Sequence, residues 1–163
     1  MSIKDIITVP DETLKKISEP VEKIGINEKK LINDLLETMY HSKGIGLAAV
    51  QVGILKRILV VDVSGKEEKK NPLAFINPII KKVSKETSVY EEGCLSIPDT
   101  FIEIERPQTC EVEYIDSDGK KKFLKCAGLL STCLQHEINH LDGKLIIDQL
   151  SKLKRDFIIK KIS

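Results

Sequence analysis

The stretch His136-Glu137-Ile138-Asn139-His140 places two histidines four residues apart, with a glutamate directly after the first. On an α-helix this spacing turns both imidazole rings to the same side, where they can bind one metal ion. The glutamate then lies beside a metal-bound water and can act as a general base. The stretch therefore predicts a central helix that carries a catalytic metal site.

A catalytic site of this kind needs a third protein ligand, and the residues after the motif do not supply one. Metzincins take it from a histidine six residues after the second, but Ile146 occupies that position. Thermolysin-like enzymes use a downstream glutamate, and no glutamate follows Glu137. Three downstream aspartates have no context that suggests a ligand: Asp142, Asp148 and Asp156. The third ligand is therefore expected upstream.

The upstream candidates are His41 and the four cysteines of the chain. Cys133 lies on the same helix, about 10 Å along the axis from the second histidine, so we expect it to line the pocket wall. Cys110 and Cys126 fall in predicted strands and are more typical of small buried hydrophobes. Cys94 lies between a glycine and a stretch that ends at a proline, where a thiolate can approach a metal through an open backbone.

Three segments resemble the signature motifs of peptide deformylases, in the same order. They are Gly44-Ile45-Gly46-Leu47-Ala48-Ala49-Val50-Gln51, Glu92-Gly93-Cys94-Leu95-Ser96 and Gln135-His136-Glu137-Ile138-Asn139-His140. The resemblance covers nearly the whole chain and is to the bacterial type. It implies an enzyme that removes the N-formyl group from the initiator methionine of nascent polypeptides and releases formate.

The resemblance also implies a role for each matching residue. The implied metal ligands are Cys94, His136 and His140. Glu137 is the implied general base and acid, while the side chain of Gln51 and the backbone N–H of Leu95 stabilise the oxyanion. The implied substrate-binding residues are Ile45, Gly46, Gly93, Leu129 and Cys133. The implied supporting residues are Gly44, Glu92, Arg106 and Asn139, of which Glu92 and Arg106 form an ion pair.

The chain departs from the family pattern at a few positions. The family usually has aspartate where Asn139 stands, and asparagine keeps a carbonyl acceptor but loses the charge. We expect retained activity with altered metal retention, because residues that orient a ligand tune metal affinity. Tyr90 and Thr132 replace aliphatic residues in the wall of the methionine pocket.

The glycine-rich segment has a rival interpretation. Gly44-Ile45-Gly46-Leu47-Ala48-Ala49 formally matches a dinucleotide-binding fingerprint. That fingerprint must follow a strand and open a helix, whereas this segment follows a predicted helix and precedes a predicted strand. We interpret the glycines as positions where a substrate backbone comes close.

The donor set and the resemblance indicate the metal, and the C-terminal helix indicates a further contact. A Cys-His-His set suits zinc, iron, nickel or cobalt. The resemblance implies one divalent ion, Fe²⁺ in the cell, with Zn²⁺, Ni²⁺ or Co²⁺ able to substitute. The C-terminal helix has a basic face and an apolar face, which favours packing on the domain, with docking to the ribosome as the alternative. The residues concerned are Lys152, Leu153, Lys154, Arg155, Phe157, Ile158, Lys160, Lys161 and Ile162.

Composition is typical of one globular domain, residues 1–163, and we expect a monomer. The net charge of +1 does not favour a nucleic-acid or membrane surface. Four cysteines without C-x-x-C spacing favour reduced thiols, and with no signal-peptide pattern we expect a cytoplasmic enzyme. A peptidase of internal bonds and a binding module with a structural metal remain as alternatives.

Strands clustered before one central helix predict an α+β domain with mostly antiparallel or mixed sheets around the histidine helix. Further helices are predicted near Asp11, from Asn27 to Gly44 and after the cap Ser151. The predicted strands are 57–63, 74–76, 79–90, 101–105, 109–116 and 120–126, the last two joined by an Asp118-Gly119 turn.

Overall fold

The histidine motif lies on a helix that runs through the centre of the molecule. The computed structural model describes residues 2–162. In it helix α2 (Gly128–Leu141) buries ten of its 14 residues. The chain turns out of α2 at Gly143, where φ is +74°. The predicted stop at this glycine is confirmed, since a left-handed residue after a helix favours glycine.

Two antiparallel sheets surround α2. The seven strands are β1 (Gly46–Ala48), β2 (Ile58–Val61), β3 (Leu73–Val83), β4 (Thr87–Cys94), β5 (Ile97–Pro107), β6 (Thr109–Ile115) and β7 (Lys121–Ala127). One sheet has the order β1-β2-β3-β6-β7, and β4 pairs with β5 in the other. The remaining helices are α1 (Ile26–His41) and α3 (Lys152–Ile162). The predicted α+β architecture is confirmed.

The five-stranded sheet is covered by a helix on each face. Leu59 and Val61 of β2 pack with residues of α2, whereas Ile58 and Val60 pack with residues of α1. Successive side chains of a strand point to opposite faces, so one fully buried strand serves both layers. This is why β2 is a continuous run of apolar residues.

The predicted strand 79–90 is wrong as a single strand. Its first part belongs to β3, its last part to β4, and the two lie in different sheets. At the break the hydroxyl of Ser84 donates to the carbonyl of Glu86 at 2.8 Å, a local turn that no glycine or proline marks. β5 is also longer than the predicted strand 101–105, which extends the β4–β5 hairpin towards the metal motif.

Three predicted turns and caps are confirmed, and one is corrected. Asp11 caps a 3-10 turn, Ser151 caps α3, and the turn after Asp116 has Gly119 at φ +83°. Helix α1 ends at His41, three residues before the predicted end at Gly44, and Lys43 between them is left-handed with φ +58°. No helix among residues 2–162 is long and apolar enough to cross a membrane.

Candidate active site

Three atoms that could bind one metal ion, from two elements of the fold, converge at one point. His136 and His140 project from α2, and Cys94 ends β4, where the β4–β5 register shifts by three residues, from Gly93 opposite Phe101 to Cys94 opposite Ile97. The two Nε2 atoms are 3.2 Å apart, and Cys94 Sγ is 3.3 Å from the Nε2 of His140. All three ligand atoms lie within 4.8 Å of one another.

These separations fit a tetrahedral metal ion. Two nitrogens at about 2.0–2.1 Å from one such ion lie about 3.3 Å apart, close to the separation found here. Burial holds the pKa of His140 well below its usual range, so its imidazole is neutral and offers a lone pair to a metal. Two imidazoles and a thiolate with room for a further ligand form a donor set that suits a catalytic divalent ion.

The other upstream candidates lie elsewhere. His41 is exposed at the end of α1. Cys110 and Cys126 face each other across β6 and β7 and belong to the core behind α2. Cys133 lies in the cavity wall, with its Sγ 3.7 Å from the carbonyl of Ile45, so its predicted place is confirmed.

The carboxylates after the motif have other partners. Asp142 pairs with Arg57 at 2.9 Å, and Asp148 accepts the backbone N–H of Leu145 at 2.8 Å. Asp156 pairs with Lys152 on the surface of α3. The structure therefore offers no thermolysin-like third ligand among these aspartates.

A buried ion pair holds the ring of His136. Glu92 Oε1 lies 3.0 Å from His136 Nδ1, and Arg106 binds both oxygens of Glu92 at 2.7 and 3.0 Å. Burial alone would raise the pKa of Glu92, but the hydrogen bonds from His136 and Arg106 bring it below its usual value. An ionised Glu92 keeps the proton of His136 on Nδ1 and turns Nε2 towards the metal position.

Asn139 contacts this ion pair and not a ligand histidine. Its Oδ1 accepts a hydrogen bond from Arg106 Nη1 at 2.8 Å. Asn139 is therefore linked to His136 through Arg106 and Glu92, and its expected effect on metal retention stays a prediction. An aspartate here would place a second carboxylate on the same guanidinium.

Glu137 lies on the cavity side of the ligand histidines. Its side chain is buried, and Oε1 lies 4.0 Å from His140 Nε2 with no hydrogen-bond partner within residues 2–162. Burial raises the pKa of Glu137 to about 7. A carboxylate with this environment can exchange a proton near neutral pH, as a general base must.

Gln51 is buried beside Cys94, although most glutamines are exposed. Its Oε1 accepts the N–H of Ala48 at 3.0 Å, which fixes the amide in a 3-10 turn (Ala49–Val52). Its Nε2 donates to Ser96 Oγ at 3.0 Å and lies 3.7 Å from Cys94 Sγ. Ser96, which the sequence analysis did not single out, thus aims this amide at the metal position.

A cavity of about 570 Å³ opens beside these groups. This is within the range of about 300–1,000 Å³ that is usual for ligand sites. All five residues predicted to bind substrate line it: Ile45, Gly46, Gly93, Leu129 and Cys133. Leu95 and the two departures from the family pattern, Tyr90 and Thr132, line it as well.

The glycines of the first motif have a packing role in addition to the expected approach of a substrate backbone, which stays a prediction. A Cβ on Gly44 would lie 2.7 Å from Leu95, and one on Gly46 would lie 2.6 Å from Glu137 Oε2 and 2.9 Å from Cys133 Sγ. The bare side of each glycine therefore faces the protein's own side chains. Gly46 lets β1 approach α2 so closely that it touches the candidate base.

We expect Gly46→Ala to lower kcat by about 10- to 100-fold, because the new methyl group displaces the Glu137 carboxylate. Gly25→Ala is the matched control, since a Cβ there has its nearest neighbour at 3.5 Å. Steady-state kinetics of the two variants test this expectation. Wild-type kcat in Gly46→Ala would contradict it.

A family model described as polypeptide deformylase matches residues 3–156. The chain belongs to this family. A peptide deformylase of Pelagibacter ubique is 58% identical over 163 residues, which are 100% of this chain and 95% of the relative. One from Rhizobium meliloti is 54% identical over 100% of this chain and 94% of its own length. The alternatives of a peptidase and of a structural metal module are thereby set aside.

Solved structures agree with this membership. A crystal structure of peptide deformylase from Ehrlichia chaffeensis superposes with a TM-score of 0.95 and 45% identity, covering 99% of this chain and 95% of that chain. A structure from the same organism in complex with actinonin has a TM-score of 0.93 and 47% identity, covering 99% and 96%. The fold and the enzyme class of this chain are those of the deformylases.

Proposed function

We propose that this chain removes the N-formyl group from the initiator N-formylmethionine of nascent polypeptides and releases formate. The observation that carries the proposal is the convergence of three ligand atoms, a buried glutamate and a buried amide at one end of a cavity. Family membership supplies the substrate class. The site of translation, and so of this activity, would be the cytoplasm.

We infer that Cys94, His136 and His140 hold one divalent ion, Fe²⁺ in the cell, with Zn²⁺, Ni²⁺ or Co²⁺ able to substitute. When bound, such an ion polarises a carbonyl and makes water acidic enough to react near neutral pH. Glu92, supported by Arg106, orients one of the ligands. The thiolate makes the site sensitive to oxidants when the ion is ferrous.

Glu137 is the general base and acid of the proposed reaction. It takes a proton from the attacking water. It then delivers this proton to the amide nitrogen as the C–N bond to the formyl carbon breaks, which frees the amino terminus of the peptide and formate. Its position beside His140 and against Gly46 puts the carboxylate between the ligands and the cavity. Because this side chain is buried, the proton is not lost to bulk solvent during the transfer.

Negative charge develops on the formyl oxygen during attack, and donors fixed in advance stabilise it. We assign this role to the Nε2 of Gln51 and the backbone N–H of Leu95. The amide of Gln51 is held at both ends, by Ala48 and Ser96, so it does not need to reorganise. This preorganisation is what makes such donors effective.

The rest of the substrate fits the cavity and its rim. The methionine side chain would lie against Ile45, Leu129 and Cys133, which give an apolar wall. β1 is an edge strand of the five-stranded sheet, and Gly46 of β1 lines the cavity. A peptide can therefore pair along this edge as an added strand.

The product of the reaction tests the proposal against peptide-bond cleavage. Mass spectrometry of a formyl-methionyl tripeptide after incubation should show the intact tripeptide without its formyl group. Fragments cut between residues would instead restore the peptidase interpretation.

We expect Asn139→Asp to slow metal release by about 10-fold, because it adds a carboxylate to the Arg106–Glu92 pair that supports His136. Asn27→Asp adds the same charge on the exposed start of α1 and serves as the control. Chelator-induced loss of metal, followed over time, gives the rate for each variant. Equal rates in Asn139→Asp and wild type would show that this position does not tune the site.

We propose that α3 docks on the ribosome. Ile158 and Ile162 pack against the domain, which accounts for half of the apolar face expected from sequence, but Leu153 and Phe157 are 82% and 70% exposed. These two side chains lie among the lysines of α3, a combination suited to a surface of RNA and protein.

The double variant Leu153→Ser, Phe157→Ser should lose co-sedimentation with ribosomes while it keeps its fold. Ile17→Ser is the control, because Ile17 is also 70% exposed but lies outside α3. This variant should still co-sediment. Equal co-sedimentation of the double variant and wild type would defeat the docking proposal.

A further inference from the structure

One polar side chain in the cavity wall has no part in the proposed chemistry. Thr132 lies on α2, one turn before His136, and lines the cavity next to Leu129 and Cys133. The residue is 4% exposed. Its hydroxyl has no hydrogen-bond partner anywhere in residues 2–162.

This lack of a partner is unusual for a threonine inside a helix. Such a hydroxyl commonly donates to the carbonyl one turn earlier. Thr38 in α1 does so, with its Oγ1 2.7 Å from the carbonyl of Asp34. A buried hydroxyl without a partner costs stability that valine, which has the same shape, would not cost. Thr132 therefore offers a free donor at the cavity wall.

Glu137 also has an unpaired buried oxygen on this cavity, but it belongs to the proposed chemistry, and the other polar groups near Thr132 are engaged or reach solvent. The Glu92 carboxylate is held by Arg106 and the ligand histidine. The Cys133 thiol lies 3.7 Å from a backbone carbonyl. Tyr90 is partly exposed. The threonine is thus the donor best placed for an atom deep in the cavity.

The position of this donor along α2 indicates which substrate atom it meets. Thr132 is four residues before His136, about 6 Å along the helix axis and away from His140. In the proposed binding mode the formyl group lies at the metal ligands and the methionine side chain lies against Leu129 and Cys133, which line the cavity together with Thr132. The sulfur of a methionine is three bonds beyond its Cα and is a weak hydrogen-bond acceptor.

We propose that Thr132 is a specificity-determining residue, whose hydroxyl donates to the sulfur of the substrate's N-terminal methionine. The pocket then discriminates a thioether from a hydrocarbon chain of the same length, such as norleucine. This inference rests on the proposed deformylase function, and it concerns selectivity and not the catalytic step.

The test compares kcat/KM for formyl-methionyl and formyl-norleucyl tripeptides that are otherwise identical. In Thr132→Val, which keeps the shape and removes the hydroxyl, the methionine-to-norleucine ratio should be lower by about 2- to 10-fold, the range of one net hydrogen bond. Thr132→Ser restores the hydroxyl and should keep most of the wild-type ratio. Removal of an unpaired buried hydroxyl should leave Thr132→Val at least as stable as wild type.

The outcomes separate the two proposals. Formate release with the same methionine-to-norleucine ratio of kcat/KM in wild type and Thr132→Val would overturn the role of Thr132 and leave the deformylase function intact. A ratio that falls equally in Thr132→Ser would also overturn it, because a change of packing alone would then explain the effect. No formate from either peptide with wild-type protein would overturn both.

Discussion

Glu137→Gln should lower kcat by about 100- to 10,000-fold, with the metal still bound. Glutamine has nearly the shape of glutamate but cannot accept the proton of the attacking water, and general acid–base catalysis contributes a factor of this size. The ligands Cys94, His136 and His140 do not change. The expected result is therefore a folded protein with wild-type metal content that releases formate very slowly.

The stability of Glu137→Gln gives an independent check on the raised pKa of Glu137. Burial raises the pKa of Glu137 from its usual 4.5 to about 7, so the metal-free folded chain holds that proton more tightly than the unfolded chain. Folding stability from this group is thus lost as the pH rises from about 4.5 to 7. Glutamine does not ionise, so the metal-free variant should be at least as stable as wild type at pH 7 and above.

Glu105→Gln is the matched control, because Glu105 is exposed on β5. It should keep the kcat and the thermal midpoint of wild type. Near-normal kcat in Glu137→Gln would remove Glu137 from the mechanism and would require another base in the cavity.

His140→Ala should bind metal at least about 100-fold more weakly and lose formate release with it. Loss of residues that merely orient a ligand typically costs about 10- to 100-fold in metal affinity, so loss of a ligand should cost no less. His140 is buried with its Nε2 directed at both other ligand atoms. Metal content after dialysis, measured by elemental analysis, gives the result.

The chain supplies a matched control for this variant. His41 is the one histidine of the sequence outside the motif, and it was a candidate ligand until the structure placed it on the exposed end of α1. His41→Ala should keep full metal content and activity. Full metal content in folded His140→Ala would contradict the proposed ligand set.

The sequence predicted those parts of the site that depend on local geometry, namely the two histidines and Cys94. The histidines of α2 share a face because their spacing matches the helical turn, and this is independent of the rest of the fold. Cys94 was favoured because it lies between a glycine and a proline-terminated stretch, and the structure brings it to the two histidines. In each case a few neighbouring residues contain the information.

What the sequence could not show are contacts between distant segments. The glycines of the first motif make room for Leu95 and Glu137, which only the packed fold brings beside them. The hydrogen bond that Arg106 donates to Asn139 joins β5 to α2 in the same way. The break between β3 and β4 was missed because its turn uses a serine hydroxyl in place of a glycine or proline.

Formate release from a formyl-methionyl tripeptide by iron-loaded protein, measured without oxygen, is the decisive test of the deformylase function. We expect rapid release, one formate for each tripeptide deformylated, with the peptide bonds intact. No release from folded, metal-loaded protein would contradict it, because every residue assigned to the reaction would be in place without the activity.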